Sequence, residues 1–280
     1  MITALDHIVL LCPEIEAGIS TYSLLLGADP VWESSSGGTS SAVFSVDNTK
    51  LELIAPEGDG EVADKLSELV SDGAKLTSLV YRSDDLNEDH RVMGRRGLEP
   101  TEIEERLTRH SETDDELTWR RFRLPDLRMA GVKSFVLEPE SDDLPESKPG
   151  KGSVTALDHL VINTPNPERA VATYGARLGL RFALDRTAEQ WKTRFLFFRL
   201  GGLTLEIIHR LDQDHDPDGP DSIWGITWAV GDLESARTRL IEAGWDVSEA
   251  RTGRKPGSRV FTVRDGTLGI PTLFIHHETA

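Results

Sequence analysis

Thr3-Ala4-Leu5-Asp6-His7 returns as Thr155-Ala156-Leu157-Asp158-His159. A chain that repeats a five-residue strand core has to be read as repeated units before anything else. Held without a gap, the same offset of 152 residues aligns Val9 with Val161, Pro13 with Pro165 and Glu16 with Glu168. It then aligns Thr21-Tyr22 with Thr173-Tyr174 and Leu26-Gly27 with Leu178-Gly179. Twelve of the 25 positions from 3 to 27 are identical, where average residue usage gives about one or two by chance. A weaker echo follows at another offset: Asp85-Leu86 to Gly97 answers Asp232-Leu233 to Gly244. The chain is a duplication, and each half divides again.

The period of the apolar residues gives the unit. Residues 4–11 read as a strand, 14–26 as a helix ended by Gly27, and strands are expected near 30–35, 40–46 and 50–55. The second half copies this with strands near 156–162, 180–186, 193–200 and 202–209 and a helix over 167–178. The expected order is β-α-β-β-β, four times over, in an α+β fold with helices on one sheet face. Glu138 to Ser153 is acidic and then Pro/Gly/Ser-rich, the composition of a linker. The expected domains are 1–140, with modules 1–58 and 74–140, and 154–280, with modules 154–211 and 222–280, joined by 141–153.

Charge removes some functions. Among the 280 residues, 48 acidic against 31 basic ones give a net charge of −17. Such a surface repels phosphate backbones and acidic membranes, so neither nucleic acid nor a membrane is an expected partner. The lone Cys12 allows no internal disulfide, which fits a reducing compartment. Ile8-Val9-Leu10-Leu11, with no basic region before it, is too short for a signal core or a span. A cytoplasmic protein is the expectation.

The strand carrying Leu5-Asp6-His7 and the closing Leu51-Glu52-Leu53-Ile54-Ala55-Pro56 resemble the vicinal-oxygen-chelate superfamily of glyoxalases, bleomycin-resistance proteins, epimerases and extradiol dioxygenases. Gly257 to Val263 and Gly269 to Leu273 are similar to it as well. The resemblance covers nearly the whole chain and implies four βαβββ modules in two glyoxalase-like domains with cupped sheets. It implies a divalent metal, Zn, Ni, Fe or Mn, held by first-strand and last-strand residues. His7 and Glu52 match two of those positions, and His159 and Glu206 match them in the second half. Imidazole nitrogen and carboxylate oxygen suit such ions. Strict alternation puts Leu5, His7 and Val9 on one face. In the partner modules the first-strand position falls on Ser78 and Gly225 and the last-strand position near Leu137 and Leu273, with Glu138, His276 and His277 close by. Each cup is then left with two protein ligands.

Glu52 and Glu206 sit among apolar residues, where a carboxylate is costly unless paired and otherwise serves as a base. Both are therefore expected catalytic residues. Arg194, Arg259, Trp191 and Ser78 are the expected substrate contacts, the arginines for a substrate carboxylate. Tyr22 and Tyr174 are expected in the core. The leading expectation is a metal-assisted lyase, isomerase or dioxygenase acting on a small molecule with adjacent oxygens. A metal-free protein that sequesters a small molecule, as resistance proteins of the superfamily do, is the alternative. A third reading has one half catalytic and the other structural. Fused module pairs are compatible with a monomer or a homodimer.

Overall fold

The computed structural model describes residues 1–141, 144 and 150–278. Most of the linker expected at 141–153 lies outside the described residues. The first half runs β1 (Ile2–Leu11), α1 (Ile15–Leu26), β2 (Trp32–Ser36), β3 (Thr39–Val46), β4 (Thr49–Pro56), α2 (Glu61–Leu69), β5 (Lys75–Ser83), α3 (Leu86–Arg95), β6 (Glu104–Arg109), β7 (Glu116–Leu124) and β8 (Lys133–Pro139). The second half runs β9 (Val154–Asn163), α4 (Pro167–Ala170), β10 (Arg181–Ala188), β11 (Thr193–Leu200), β12 (Leu203–Arg210), β13 (Ser222–Val230), α5 (Leu233–Glu242), β14 (Arg251–Thr252), β15 (Ser258–Val263) and β16 (Thr272–His277). The expected β-α-β-β-β order holds in all four modules. The helix expected at 167–178 forms as α4 followed by a π-helical turn over Val171–Arg177. The expectation contained no counterpart of α2.

Local chemistry explains the boundaries. Gly27 ends α1 in the left-handed conformation at φ 71°, and its N–H reaches Ser23 O, where a side chain would be strained. Asp85 and Asp232 open α3 and α5 by accepting the N–H of Glu88 and Ser235, each satisfying one orphan donor of a helix start.

Two eight-stranded sheets result, ordered β2-β3-β4-β1-β5-β8-β7-β6 and β10-β11-β12-β9-β13-β16-β15-β14. In each, the two first strands run antiparallel at the centre, and each pairs in parallel with the last strand of its own module. The helix sides of both sheets merge into a single apolar body that includes Ile8, Tyr22, Phe44, Tyr174, Phe198 and Trp228. Each fully buried large side chain there contributes ~1.5–3 kcal/mol. Tyr22 and Tyr174 are buried, as expected, and so is Cys12. Polar contacts lock the halves together. The Asn48 side chain pairs with both the N–H and the C=O of Leu157, and the Arg239 guanidinium donates to the carbonyls of Leu24, Leu25 and Gly152. The opposite faces of the sheets form two cups.

Candidate functional site

The floor of each cup is set by an irregularity in its first strand. The β1–β5 register shifts between Leu5 and His7, a bulge that turns two successive side chains to one side. Leu5 therefore joins Ile8 and Leu10 in the helix-side core. Asp6 stands with His7 on the cup side, against the strict alternation expected from sequence. The Asp6 carboxylate accepts a hydrogen bond from Lys50 Nζ at 3.3 Å and meets His7 Nδ1 at 2.8 Å.

In the first cup His7 and Glu52 do converge, with Nε2 and Oε2 3.3 Å apart. Burial disfavours the imidazolium, but the hydrogen bonds to Asp6 and Glu52 outweigh it and push the His7 pKa up to about 9. Burial likewise opposes the Asp6 charge, yet His7 and Lys50 hold its carboxyl well below the usual carboxylate range. This cup is also covered. Val70, at the end of α2, packs with Val9, Leu11, Val80 and Leu137, and Leu66, Trp119 and Phe135 close around them. The far rim is shut where Ser111 N–H donates to Glu33 O at 2.9 Å and the His110 ring meets Trp32 edge-on at 5.1 Å.

The second cup uses the same residues differently. His159 Nδ1 lies 2.6 Å from Asp158 Oδ1, while Nε2 lies 2.9 Å from Thr227 Oγ1 and 3.8 Å from Glu206 Oε2. Glu206 makes no hydrogen bond among the described residues, although its side chain is only 18% exposed. Asp158 is met from across the cup by Lys255 Nζ at 2.5 Å and His277 Nε2 at 2.6 Å. Burial opposes its charge, but His159, Lys255 and His277 hold it well below the carboxylate range. No helix follows β12. A cavity of ≈ 490 Å³ opens there instead, lined by Asn163, Ile208, Arg210, His215 and Trp224 among others. The apolar floor is Val161, Phe195, Phe197 and Ile208. The Asp158, Lys255, His277 and Thr227 cluster was missed from sequence. Its one signal was the Asp-His pair itself, which alternation placed on opposite faces.

Several expected site residues lie elsewhere. Arg194 is on the helix side of β11, bound to Asp185 at 2.9 Å and to Glu168 at 2.6 Å. Its strand neighbours Phe195 and Phe197 take the cup side. Arg259 pairs with His276 in register and binds Glu234 of α5 at 2.9 Å, again on the helix side. Neither reaches a cup. Ser78 does face the first cup, buried beside Val9. Trp191 stands on the rim of the second cup, 37% exposed, with the Arg254 guanidinium 3.8 Å above its ring. The register also fixes the remaining positions. Val9 faces both Glu52 and Ser78, and Val80 faces both His7 and Phe135. Ser78 is thus the counterpart of His7, and Phe135, rather than Leu137, is the counterpart of Glu52. In the second cup the counterparts are Gly225 and Leu273.

This donor set does not suit a resident divalent ion. Catalytic sites for such ions hold three protein ligands, and at the positions the family uses each cup offers one imidazole and one carboxylate, while the further carboxylates Asp6 and Asp158 are held by Lys50 and by Lys255 with His277. In the first cup His7 and Glu52 are engaged in an ion pair. In the second, a Cβ at Gly225 would stand 2.7 Å from the Pro271 carbonyl oxygen, so the backbone has no room for a third ligand. No group of three or more His, Cys, Asp or Glu is placed to hold a metal ion among the described residues.

Two family models match the chain. One described as a glyoxalase-like domain spans residues 5–153, and one described as the glyoxalase/bleomycin resistance protein/dioxygenase superfamily spans 158–262. An ethylmalonyl-CoA/methylmalonyl-CoA epimerase of Cereibacter sphaeroides is 29% identical over 128 residues, 43% of this chain and 87% of that protein. A mutant 4-hydroxymandelate synthase from Streptomyces coelicolor superposes with a TM-score of 0.70 at 12% identity, over 100% of this chain and 94% of its own. An Mn(II)-bound glyoxalase from Novosphingobium aromaticivorans gives 0.66 at 14% identity, over 99% and 83%. These two share the fold. No helix among the described residues is long and apolar enough to cross a membrane.

Proposed function

The chain belongs to the glyoxalase/bleomycin resistance/dioxygenase superfamily, and from that premise we propose that it is a small-molecule enzyme of the isomerase or lyase kind, working by proton transfer in its second cup. The observation that carries this reading is the state of Glu206. It is a largely buried carboxylate with no hydrogen bond among the described residues, on the same strand face as Ile208, which lines the open cavity, whereas Glu52 is held by a charged imidazole. A carboxylate with nothing to donate to it is free to take a proton.

The proposed step removes a proton from a carbon next to a carbonyl. The C–H pair moves into the adjacent C–C bond, the carbonyl oxygen gains the charge, and Glu206 carries the proton. Asp158 fixes His159 by its Nδ1 side, and Nε2 in turn holds the Thr227 hydroxyl at 2.9 Å, so in this reading the Thr227 hydroxyl is the group that donates to the oxygen that gains charge. Return of the proton to either face gives epimerisation or isomerisation. The sequence likeness to an epimerase of acyl-CoA thioesters supports chemistry of this class. No metal-borne step enters, because the donor set does not fit one. His7 and Glu52 act in this reading as a structural pair.

The test is solvent exchange. Methylmalonyl-CoA, ethylmalonyl-CoA and a panel of α-hydroxyketones are incubated with the protein in deuterium oxide, and NMR follows label at the carbon next to the carbonyl. Incorporation that Glu206→Gln abolishes is the expected result. Tight binding of a panel compound without any incorporation would instead favour the sequestering reading, to which the exposed Trp191 and Trp224 lend support.

A further inference from the structure

Arginine is distributed unequally between the two cups. In the first, Arg82, Arg106 and Arg121 each lie within reach of a carboxylate, Asp6 or Glu104. In the second, Arg181, Arg186, Arg199, Arg210, Arg251 and Arg254 have no carboxylate partner among the described residues. Register places the strand members on the cup side. Arg186 faces Phe195, Arg181 faces Arg199, Arg199 faces Thr204, Arg210 faces Thr193, and Arg251 faces Val260. Arg199 and Arg210 donate only to threonine hydroxyls. In a chain with a net charge of −17, six arginines without an ion pair on one cup face, with Arg210 bordering the cavity, are not an average surface. Asp214 and Asp216 line the cavity beside Arg210, so it is the excess of unpaired arginine on this face, and not a single sign of charge, that favours an anion.

The same opening presents flat apolar surface. Trp191 and Trp224 are 37% and 46% exposed, Leu184 is 49% exposed, and the half-buried Phe197 pairs in register with Leu184 on one side and Glu206 on the other. The tip between β14 and β15 crosses the cup, laying Arg254 on the Trp191 ring and joining Lys255 to Asp158. A guanidinium stacked on an indole keeps its edge donors available for an oxyanion.

We propose that the second cup binds an organic anion carrying more than one negative charge and a planar ring. The ring stacks at Trp191 and Trp224, and the anionic groups sit among Arg186, Arg210 and Arg254. The assignment of this anion as substrate rests on the proton-transfer reading above. From Arg210 to Glu206 is four residues of strand, about 13 Å, so the charged end is held at the rim while the reacting carbon reaches Glu206. Two sources share this chemistry: a phosphorylated aromatic small molecule and a nucleotide-bearing thioester.

Binding is measured by tryptophan fluorescence in the Glu206→Gln variant, so turnover plays no part. The probes are coenzyme A, phenyl phosphate, inorganic pyrophosphate and benzyl alcohol. Saturable quenching by at least one ringed anion is expected, weakening about tenfold or more between about 50 mM and about 500 mM salt. Benzyl alcohol and pyrophosphate are expected to bind at least about tenfold more weakly. Arg210→Ala with Arg254→Ala is expected to weaken the ringed anion by a further factor of about ten, and Arg106→Ala in the first cup to leave it unchanged. Preference for coenzyme A identifies the nucleotide-bearing source, and preference for phenyl phosphate the small aromatic one. No saturation by either ringed anion, equal binding of benzyl alcohol or pyrophosphate, or indifference to the arginine variants would overturn the proposal. Binding without deuterium exchange in the unsubstituted protein would sink the proton-transfer reading alone.

Discussion

The two cups descend from one repeated unit and keep the same His and Glu on the same strands, yet they have been finished in opposite ways. The first is covered by α2 through Leu66 and Val70 and shut at the rim by the His110–Trp32 contact. Its histidine is charge-paired on both ring nitrogens. The second has no covering helix. Its edge strand β10 is exposed from Arg181 to Thr187, its glutamate makes no hydrogen bond among the described residues, and the arginines on its cup face make no ion pair among them. If the proposed proton transfer belongs to the second cup, possession of the motif residues does not distinguish a working cup from a structural one. On that reading the distinction lies in whether the polar atoms are already satisfied by the protein itself.

The largest effect should separate the two carboxylates. Glu206→Gln is expected to lower proton exchange by about 100-fold or more, the usual scale for a lost general base. Glu52→Gln should change it by less than about threefold. Equal losses would break the division of labour between the cups. A smaller effect should appear as stability against pH. The folded His7 pKa is about 9, above its unpaired value of 6.5. Its contribution is therefore full below pH 6.5 and is lost as pH rises through about 9. Chemical denaturation should show a fall on the order of 2 kcal/mol across that window. His7→Gln should start lower and run flat. Next, Val70→Ala should cost about 1–2 kcal/mol by leaving a void under α2 while proton exchange in the second cup is unchanged.

Much of the fold was legible because the duplicated strand Thr-Ala-Leu-Asp-His carries both the repeat and the apolar alternation. The helix stop at Gly27 was legible because it is a local chemical preference. The convergence of His7 with Glu52 was implied by the family resemblance, which assigns both positions to one cup. What could not be read was anything decided by a bulge or by a neighbouring strand. The bulge at Leu5–His7 moved Leu5 to the core and brought Asp6 into the cup. Arg194 and Arg259 lie one residue out of phase with the cup, and period-two geometry turns such an offset into the opposite face. The glutamate counterpart Phe135 was placed two residues late, at Leu137, because no motif marks it. Lys255 and His277 reach Asp158 from about 100 residues or more further along the chain, and no local signal reports such a contact.

The smallest expected effect tests the tip that crosses the second cup. Lys255 is 42% exposed, so its ion pair with Asp158 is largely screened. Lys255→Ala should cost less than about 1 kcal/mol of stability. The first cup holds its opposing rim by a backbone hydrogen bond and a ring contact, both indifferent to salt. The second holds its crossing tip by Lys255 and by Arg254 on Trp191, both of them charged contacts. Removing Lys255 should leave Arg254 alone to keep the tip down, raising the acrylamide quenching of Trp191 as salt is added. Trp32, buried under His110, should stay shielded under the same conditions. With Trp224→Phe in the background to remove the other exposed indole, unchanged quenching in Lys255→Ala at every salt concentration would show that the tip is held by its own hairpin, and the contrast between a fixed rim and a charge-held one would fall.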